Sequence, residues 1–376
     1  MKALISGAGI AGLATGIALR QAGHEVEIFE RMPELREIGA GLMIWPNGAR
    51  SLQALGVVID AVTIQHMSVC TWRGRQVNDY PLESVAARFV FEPAFVHRAD
   101  LQAALATTFG AEGLNFDAEV SGFNERGAKV EVIIRGGVAA AGDLLVGADG
   151  LRSPVRRQLL EDGDPVYLGS TIWRGVVDGH GIRLPPAHGF DWVGRGSEFV
   201  AFPLLHDRMY WSGVIKQQRG EKPGPNGHKG DLLHAFGDWA QPIPALIAAT
   251  ADAAILRNDM YDRPPARRWS EGRVTLVGDA AHPMTPNAGQ GACQALEDAV
   301  ALVDSIKRSS HLTEAFGLYE DRRRRRANRL VTMARQATRA AQLDSPLLCA
   351  LRDGFAGLMP SWVFLRMLDS YVGGTE

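Results

Sequence analysis

The chain has 376 residues, 46% of them hydrophobic and 22% charged, with a formal net charge of −2. That length and balance suffice for a large core in two or three domains or one elaborated α/β unit, and the near-neutral charge excludes a general attraction to nucleic acid or to an anionic membrane. Three cysteines, Cys70, Cys293 and Cys349, are widely spaced and never form Cys-x-x-Cys, which excludes a thiolate zinc site and fits a reducing, cytoplasmic compartment.

The first stretch, KALISGAGIAGLATGIALRQAGHEVEIFER from Lys2 to Arg31, has the outline of a signal peptide, but its glycines at 7, 9, 12 and 16 argue against one. It reads instead as strand, glycine turn, helix and second strand ending at acidic Glu30, a βαβ dinucleotide-binding start. Gly7 permits the tight turn, Gly9 lets backbone approach a pyrophosphate, and Gly12 lets helix pack on strand. The helix then offers its unpaired N–H groups and positive dipole end to phosphate. Glu30, beside Arg31, is placed to accept hydrogen bonds from a ribose 2′-OH. This motif does not separate FAD from NAD(P), so a nicotinamide-dependent dehydrogenase stays open here.

Further along, VHRADL puts Arg98 at the start of a helix. In GDLLVGADGLRSPVRRQLL, Leu144 to Val146 form a strand that delivers Asp149 and Gly150 at its carboxyl end, and Ser153 with Pro154 opens a helix carrying Arg156 and Arg157. From Tyr167 to Ile215 the pattern changes. Trp173, Phe190, Trp192, Phe199, Phe202, Tyr210 and Trp211 sit in short runs broken by Gly and Pro, which predicts an antiparallel sheet. Alternation turns about half of them away from a pocket on one face. Few charges fall where alternation points inward, so a flat, largely apolar ligand is expected. Arg174 reads either as a polar anchor or as a residue paired on the sheet surface.

The segment GRVTLVGDAAHPMTPNAGQGACQALEDAVAL has a strand from Val274 to Val277 that delivers Asp279, an acid able to hold a sugar or ribityl hydroxyl. Pro283 and Pro286 block helix formation, while Gly289 and Gly291, flanking Gln290, let the loop run flat against a ring system. A helix follows whose first N–H groups face an electron-rich oxygen. The run YEDRRRRRANR from Tyr319 to Arg329 lacks interleaved aromatics and reads as a solvated helical face paired with acids, not as a nucleic-acid site. The last thirty residues are amphipathic, with no uncharged run long enough to span a bilayer, and suit domain packing or a dimer contact.

These three motifs, in this order, resemble the class A flavoprotein monooxygenases, the family of para-hydroxybenzoate hydroxylase. Gly7, Gly9, Gly12 and Glu30 match its adenosine-binding turn. Asp149-Gly150, with Ser153 and Arg156, match the motif that touches FAD and the passing nicotinamide cofactor. Gly278-Asp279 match the ribityl motif, and Pro286 with Gly289-Gln290-Gly291 match the loop against the isoalloxazine. The resemblance implies that Arg98 holds the flavin and its pyrophosphate, and that Gly39, Ala40 and Gly41 lie along the flavin's other side, with Trp45 either core or pocket.

The resemblance further implies a glutathione reductase-type, Rossmann-like α/β FAD-binding domain of residues 1–70, 95–165 and 265–345. A mostly antiparallel substrate-binding sheet domain of 71–94 and 166–264 is inserted in it, and a helical segment of 346–376 ends the chain. FAD is expected to be non-covalent, NAD(P)H a transient co-substrate, and the chain a monomer or homodimer with no nucleic-acid or membrane partner. The implied reaction uses O2, through a flavin C4a-hydroperoxide, to hydroxylate an aromatic or conjugated small molecule. Arg174, His206, Tyr210 and Pro286 are the candidate catalytic residues, and His282 reads as structural. Epoxidation is the alternative, because the Pro-Asn-x-Gly-Gln-Gly-x-Cys wording also resembles zeaxanthin epoxidase. A flavin-dependent halogenase lacks its Trp-x-Trp-x-Ile-Pro stretch here, and a dehydrogenase lacks a second glycine fingerprint.

Overall fold

The computed structural model describes residues 1–35, 40–179, 181–182 and 184–373. Its first layer is a six-stranded sheet in the order Ser270–Glu271, Val274–Leu276, Leu144–Gly147, Lys2–Ser6, Glu25–Phe29, Leu114–Asn115. All neighbours are parallel except the outermost Ser270–Glu271 pairing. Ala3, Leu4, Ile5, Leu144, Leu145 and Val146 are wholly buried, as the continuous apolar runs of a sheet covered on both faces require. The helix Ile10–Gln21 packs against the sheet and against the helix Gly291–Arg308. Gly12 permits this approach, because a Cβ there would lie 1.9 Å from the Gly7 carbonyl oxygen.

The second layer is a seven-stranded sheet in the order Leu256–Asp262, Val166–Asp178, Arg208–Lys216, Ser197–Leu204, His188–Val193, His66–Thr71, Gln76–Pro81. Only His188–Val193 and His66–Thr71 run parallel. The fold class is the expected one, but residue 70, taken as a boundary, falls inside a strand that pairs within this sheet. The chain has therefore entered the second layer by His66. A small three-stranded sheet, Gly41–Ile44, Ala94–His97 and Val62–Thr63, lies between the two layers in sequence.

Alternation along the large sheet separates two apolar clusters. Trp173, Trp192, Phe199 and Trp211 pack outward with Leu232, Phe236 and Leu246 of the helices Gly227–Phe236 and Ile243–Ala249, and Phe190 leans on the same cluster. Phe202 and Tyr210 face the other way, joining Met43, Trp45, Phe95 and Tyr80. Five of the seven aromatics that suggested a stacked pocket are thus on the far side. The C-terminal helices Pro346–Leu358 and Ser361–Val372 close the inner face at its edge, where Asn78 donates to the Ala356 and Met359 carbonyls and Tyr80 stacks on Phe364 at 3.9 Å.

The arginine run departs from the expected solvated face. It belongs to the long helix Leu312–Ala341, and Arg323 in its middle has no exposed surface. Its guanidinium donates to Asp298 Oδ1 at 2.8 Å, Glu297 Oε2 at 2.9 Å and Gln294 Oε1 at 2.7 Å. A helix carrying five consecutive arginines must turn at least one inward, and the one that points at the core is matched by acids from a neighbouring helix, as a buried charge must be. Arg323→Ala strands Glu297 and Asp298, so we expect a loss of about 3–5 kcal/mol in unfolding free energy. Exposed Arg325→Ala should stay within ~0.5 kcal/mol of the parent in the same denaturation measurement.

Candidate active site

The site lies where the carboxyl ends of the strands Lys2–Ser6, Leu144–Gly147 and Val274–Leu276 meet, beneath the inner face of the large sheet. Gly7 leaves the first strand at φ +100°, and a Cβ there would lie 2.7 Å from the Ala148 carbonyl oxygen. Gly9 caps the first helix without a side-chain bond, and no atom lies within 4 Å of where its Cβ would be. The helix N-terminus is therefore open to an anion. Glu30 is fixed at its mouth, accepting from the Ala8 and Met32 N–H groups at 2.8 and 3.0 Å, and keeps further lone pairs on both oxygens. Arg31 beside it is exposed. Gln102 adds a contact not foreseen, donating to the Ala8 carbonyl at 2.9 Å.

Asp149 stands at the end of the central strand. Burial pushes its pKa up to about 6 against the hydrogen bonds from Ser153, Val155 and Ser6, and its Oδ1 is shut from solvent with no partner among the described residues. An orphaned carboxylate oxygen in such a place is costly unless a ligand hydroxyl or amide meets it. Gly150, at φ +79°, opens the turn without obstruction. Ser153 caps the next helix through the Arg156 N–H at 2.8 Å. Arg156 itself is a correction: it is wholly buried and donates to Asp162 and to the Ala280 and Ala281 carbonyls, so it braces the loop from behind and faces no cofactor.

That loop begins with the turn Gly278–Ala280 and continues through the turn Pro286–Ala288 to Gly289, whose φ of +58° the absent side chain permits. Asp279 has open surface yet is surrounded by protein, which is the setting of a cleft floor; burial raises its pKa, while His282 and Arg98 act to lower it. Arg98 lies opposite. Its backbone N–H is held by the Ala40 carbonyl at 2.7 Å, and burial lowers its pKa against the support of Asp279. Arg174 is close enough to lower it further. Arg174 donates to Asn258 Oδ1, and its buried Nε has no partner among the described residues.

A chain of buried amides ends this loop. Gln290 Oε1 accepts from Asn47 at 3.0 Å and from Gln294 at 3.1 Å, and Gln290 Nε2 and Asn47 Oδ1 have no partners among the described residues. Pro286 is exposed to the cleft, and Trp45 Nε1, also orphaned, sits 3.2 Å from the place of a Gly289 Cβ. Gly291 opens the following helix with its Cβ position free. Gly41 is enclosed instead, since a Cβ there would meet the Phe95 ring at 2.1 Å and Tyr210 at 2.8 Å. Gly39 lies outside the described residues. Tyr210 is buried with its ring 5.4 Å from Phe95. His206 sits exposed in the hairpin turn between Ser197–Leu204 and Arg208–Lys216, which reaches the helix headed by Arg98 through Arg208 and Asp100. His282 is structural as expected, bonded to buried Asp298 at 2.5 Å.

Residues 1–166 and 255–334 match the family described as "FAD binding domain". The chain is 38% identical to the aurachin C monooxygenase/isomerase of Stigmatella aurantiaca, covering 96% of this chain and 95% of that one. The chain belongs to the class A flavoprotein monooxygenases. A FAD-dependent urate hydroxylase of Klebsiella pneumoniae subsp. pneumoniae is 32% identical to this monooxygenase over 89% of each chain. The chloroplastic zeaxanthin epoxidase of Solanum lycopersicum is 33% identical over 84% of this chain and half of its own length. The crystal structure of Klebsiella pneumoniae HpxO with FAD and uric acid superposes with a TM-score of 0.93 at 29% identity, covering all of this chain and 97% of that one. FAD is the cofactor of the monooxygenase, and no helix among the described residues is long and apolar enough to cross a membrane. No cluster of metal-ligating residues occurs among them either.

Arg98 and Asp279 act on each other's charge across the cleft, and a charge-assisted hydrogen bond from either to a bound cofactor would contribute about 1.5–3 kcal/mol. Arg98→Ala and Asp279→Ala should each weaken FAD binding roughly ten- to a hundredfold, measured by titrating apoprotein with FAD, with unfolding followed separately.

Proposed function

We propose that this monooxygenase is a single-component, cytoplasmic aromatic hydroxylase that takes reducing equivalents from NAD(P)H and inserts one atom of O2 into a small aromatic or conjugated ring. The observation that carries the reading is the pair of strand-end acids, Asp149 and Asp279, beside glycine backbone that stays open at Gly9, Gly150 and Gly291. FAD, when bound, supplies the oxygen-activating chemistry. In this reading the N–H groups around Gly9 and the carboxylate of Glu30 hold its pyrophosphate and adenosine ribose, and Arg98, Asp149 and Asp279 hold the remaining chain. The backbone from Pro286 to Gly291 supports the ring system.

The rest is done by placement and exclusion of water. The Gly289 N–H is spent on the Pro286 carbonyl at 2.8 Å, which fixes the turn, and the backbone N–H groups of Gln290 and Gly291 would be the donors that need no reorganisation as charge develops on a bound ring. The wall of Phe95, Phe202, Tyr210 and Met43 covers the cleft with apolar surface, which keeps a reactive species dry. Arg174 stands close enough to Arg98 for the two cations to act on each other, so Arg174 suits an electron-rich oxygen of the substrate. Epoxidation is the second reading, favoured by the identity to zeaxanthin epoxidase. The polar groups on the inner sheet face speak for a ring bearing heteroatoms and hence for hydroxylation.

Among the described residues the one dinucleotide-binding turn is taken by FAD in this reading, so NAD(P)H is a transient co-substrate and flavin reduction depends on a substrate-shifted arrangement of the cleft. Stopped-flow reduction of the FAD enzyme by NADPH or NADH should quicken when a ring from a panel of phenols, quinolones and benzoates is turned over, with one 18O atom gained by the product from 18O2. Reduction equally fast with and without a ring that gains oxygen would count against this reading.

A further inference from the structure

The inner face of the large sheet holds two carboxylates that the sequence pattern did not single out. Asp191 pairs with Val200 across the strands, and Glu198 lies two residues from Val200 on the same strand, so the two acids are diagonal neighbours on one face. The face is the inner one, shared with Phe202, Tyr210 and Arg174 by register. Glu198 Oε2 accepts from Asn287 Nδ2 at 2.7 Å, and Asn287 belongs to the turn that follows Pro286 in the flavin loop. Asp191 Oδ1 has no exposed surface and no hydrogen-bond partner among the described residues.

Among the described residues neither acid has a cation in hydrogen-bond contact. Arg352, whose charge acts on both acids, spends its donors on Asp353 and on the carbonyls of Gly194, Ala340 and Ala341. Two enclosed carboxylates with one donor between them stay charged together only at high cost. Burial first, and then each other's charge, push Asp191 well above the usual carboxylate range, and burial likewise raises Glu198. No feature of packing needs acids here, because Val69, Val176 and Val200 fill neighbouring positions on the same face.

We propose that Asp191 and Glu198 form a specificity subsite that accepts a hydrogen bond from an O–H or N–H group of the substrate, at the edge of the cleft opposite Arg174. This rests on the hydroxylase reading above and narrows it. The substrate is a ring carrying both an acceptor or oxyanion for Arg174 and a donor for the acid pair, such as a phenol or an N–H heterocycle, and a plain polyene satisfies neither. Glu198 ties this recognition to the flavin loop through Asn287.

The test uses the FAD-loaded enzyme and two matched probe pairs, 2-naphthol against its methyl ether and 4-hydroxyquinoline against N-methyl-4-quinolone, with dissociation constants read from perturbation of the flavin absorption spectrum. In the parent enzyme the donor-bearing member of at least one pair should bind tenfold or more tightly than its methylated twin. In Asp191→Leu and Glu198→Met, which replace each acid by an apolar side chain of similar size, that preference should fall below threefold. Asp191→Asn guards against loss of folding, with flavin retention as the check. A parent enzyme without the preference in either pair, including one that binds neither probe, overturns the proposal, as does a preference undiminished in the variants. Oxygen incorporation from 18O2 in the same samples reports on the hydroxylase reading independently, since it can proceed with rings that lack the donor.

Discussion

Asp298 is a fully buried carboxylate in the middle of the helix Gly291–Arg308, and the loop that carries Asp279 and Gly289 is organised around it. Its Oδ2 accepts from the Gly278 N–H at 2.9 Å and bonds His282 at 2.5 Å, while its Oδ1 accepts from Arg323 at 2.8 Å. Burial alone would raise its pKa, but His282 and Arg323 outweigh burial and hold it below the usual carboxylate range. One charge thus fixes the start of the loop, its middle and the long C-terminal helix together. Arg156 grips the same loop from the other side through the Ala280 and Ala281 carbonyls. A stretch of small residues and prolines has little side-chain packing of its own, so its shape must be imposed by such buried polar contacts.

The glycine turn, the two acid-terminated strands and the loop could be read from the sequence because each depends on local chemistry. Gly7 and Gly12 have to be glycine for reasons that lie within a few residues or one strand away, and Asp149 and Asp279 follow short apolar runs. What could not be read depends on contacts distant in sequence. Arg323 looks like any surface arginine of a basic run until the helix bearing Glu297 and Asp298 is laid against it. Arg156 fits a motif by position, yet its side chain turns inward to carbonyls some 124 residues away. Gln102, Asn47 and Asn287 carry no recognisable pattern at all.

The large sheet shows the same limit. Period-2 alternation was visible, but which parity faces the cofactor layer was not, because both faces of this sheet are covered. The helices Gly227–Phe236 and Ile243–Ala249 take the tryptophan-rich face, and the cleft receives a mixed one of Phe202, Tyr210, Arg174, Asp191 and Glu198. A ligand pocket of this composition is apolar in bulk with a few directed polar groups, the ordinary arrangement for selecting one small molecule. His206, plausible as a proton carrier by residue type, is placed on an exposed hairpin turn.

The central claim is that the charge on Asp298 shapes the flavin loop, so that cofactor binding depends on a residue facing away from the cleft. Titration of Asp298→Asn apoprotein with FAD, read by flavin fluorescence on protein shown to be folded by circular dichroism, tests it directly. Asparagine keeps the shape and one acceptor but loses the pull on His282 and Arg323, and FAD affinity should fall by roughly tenfold or more, about 1.4 kcal/mol. An affinity equal to that of the parent would contradict the claim and would mean that the loop holds its form without the buried charge.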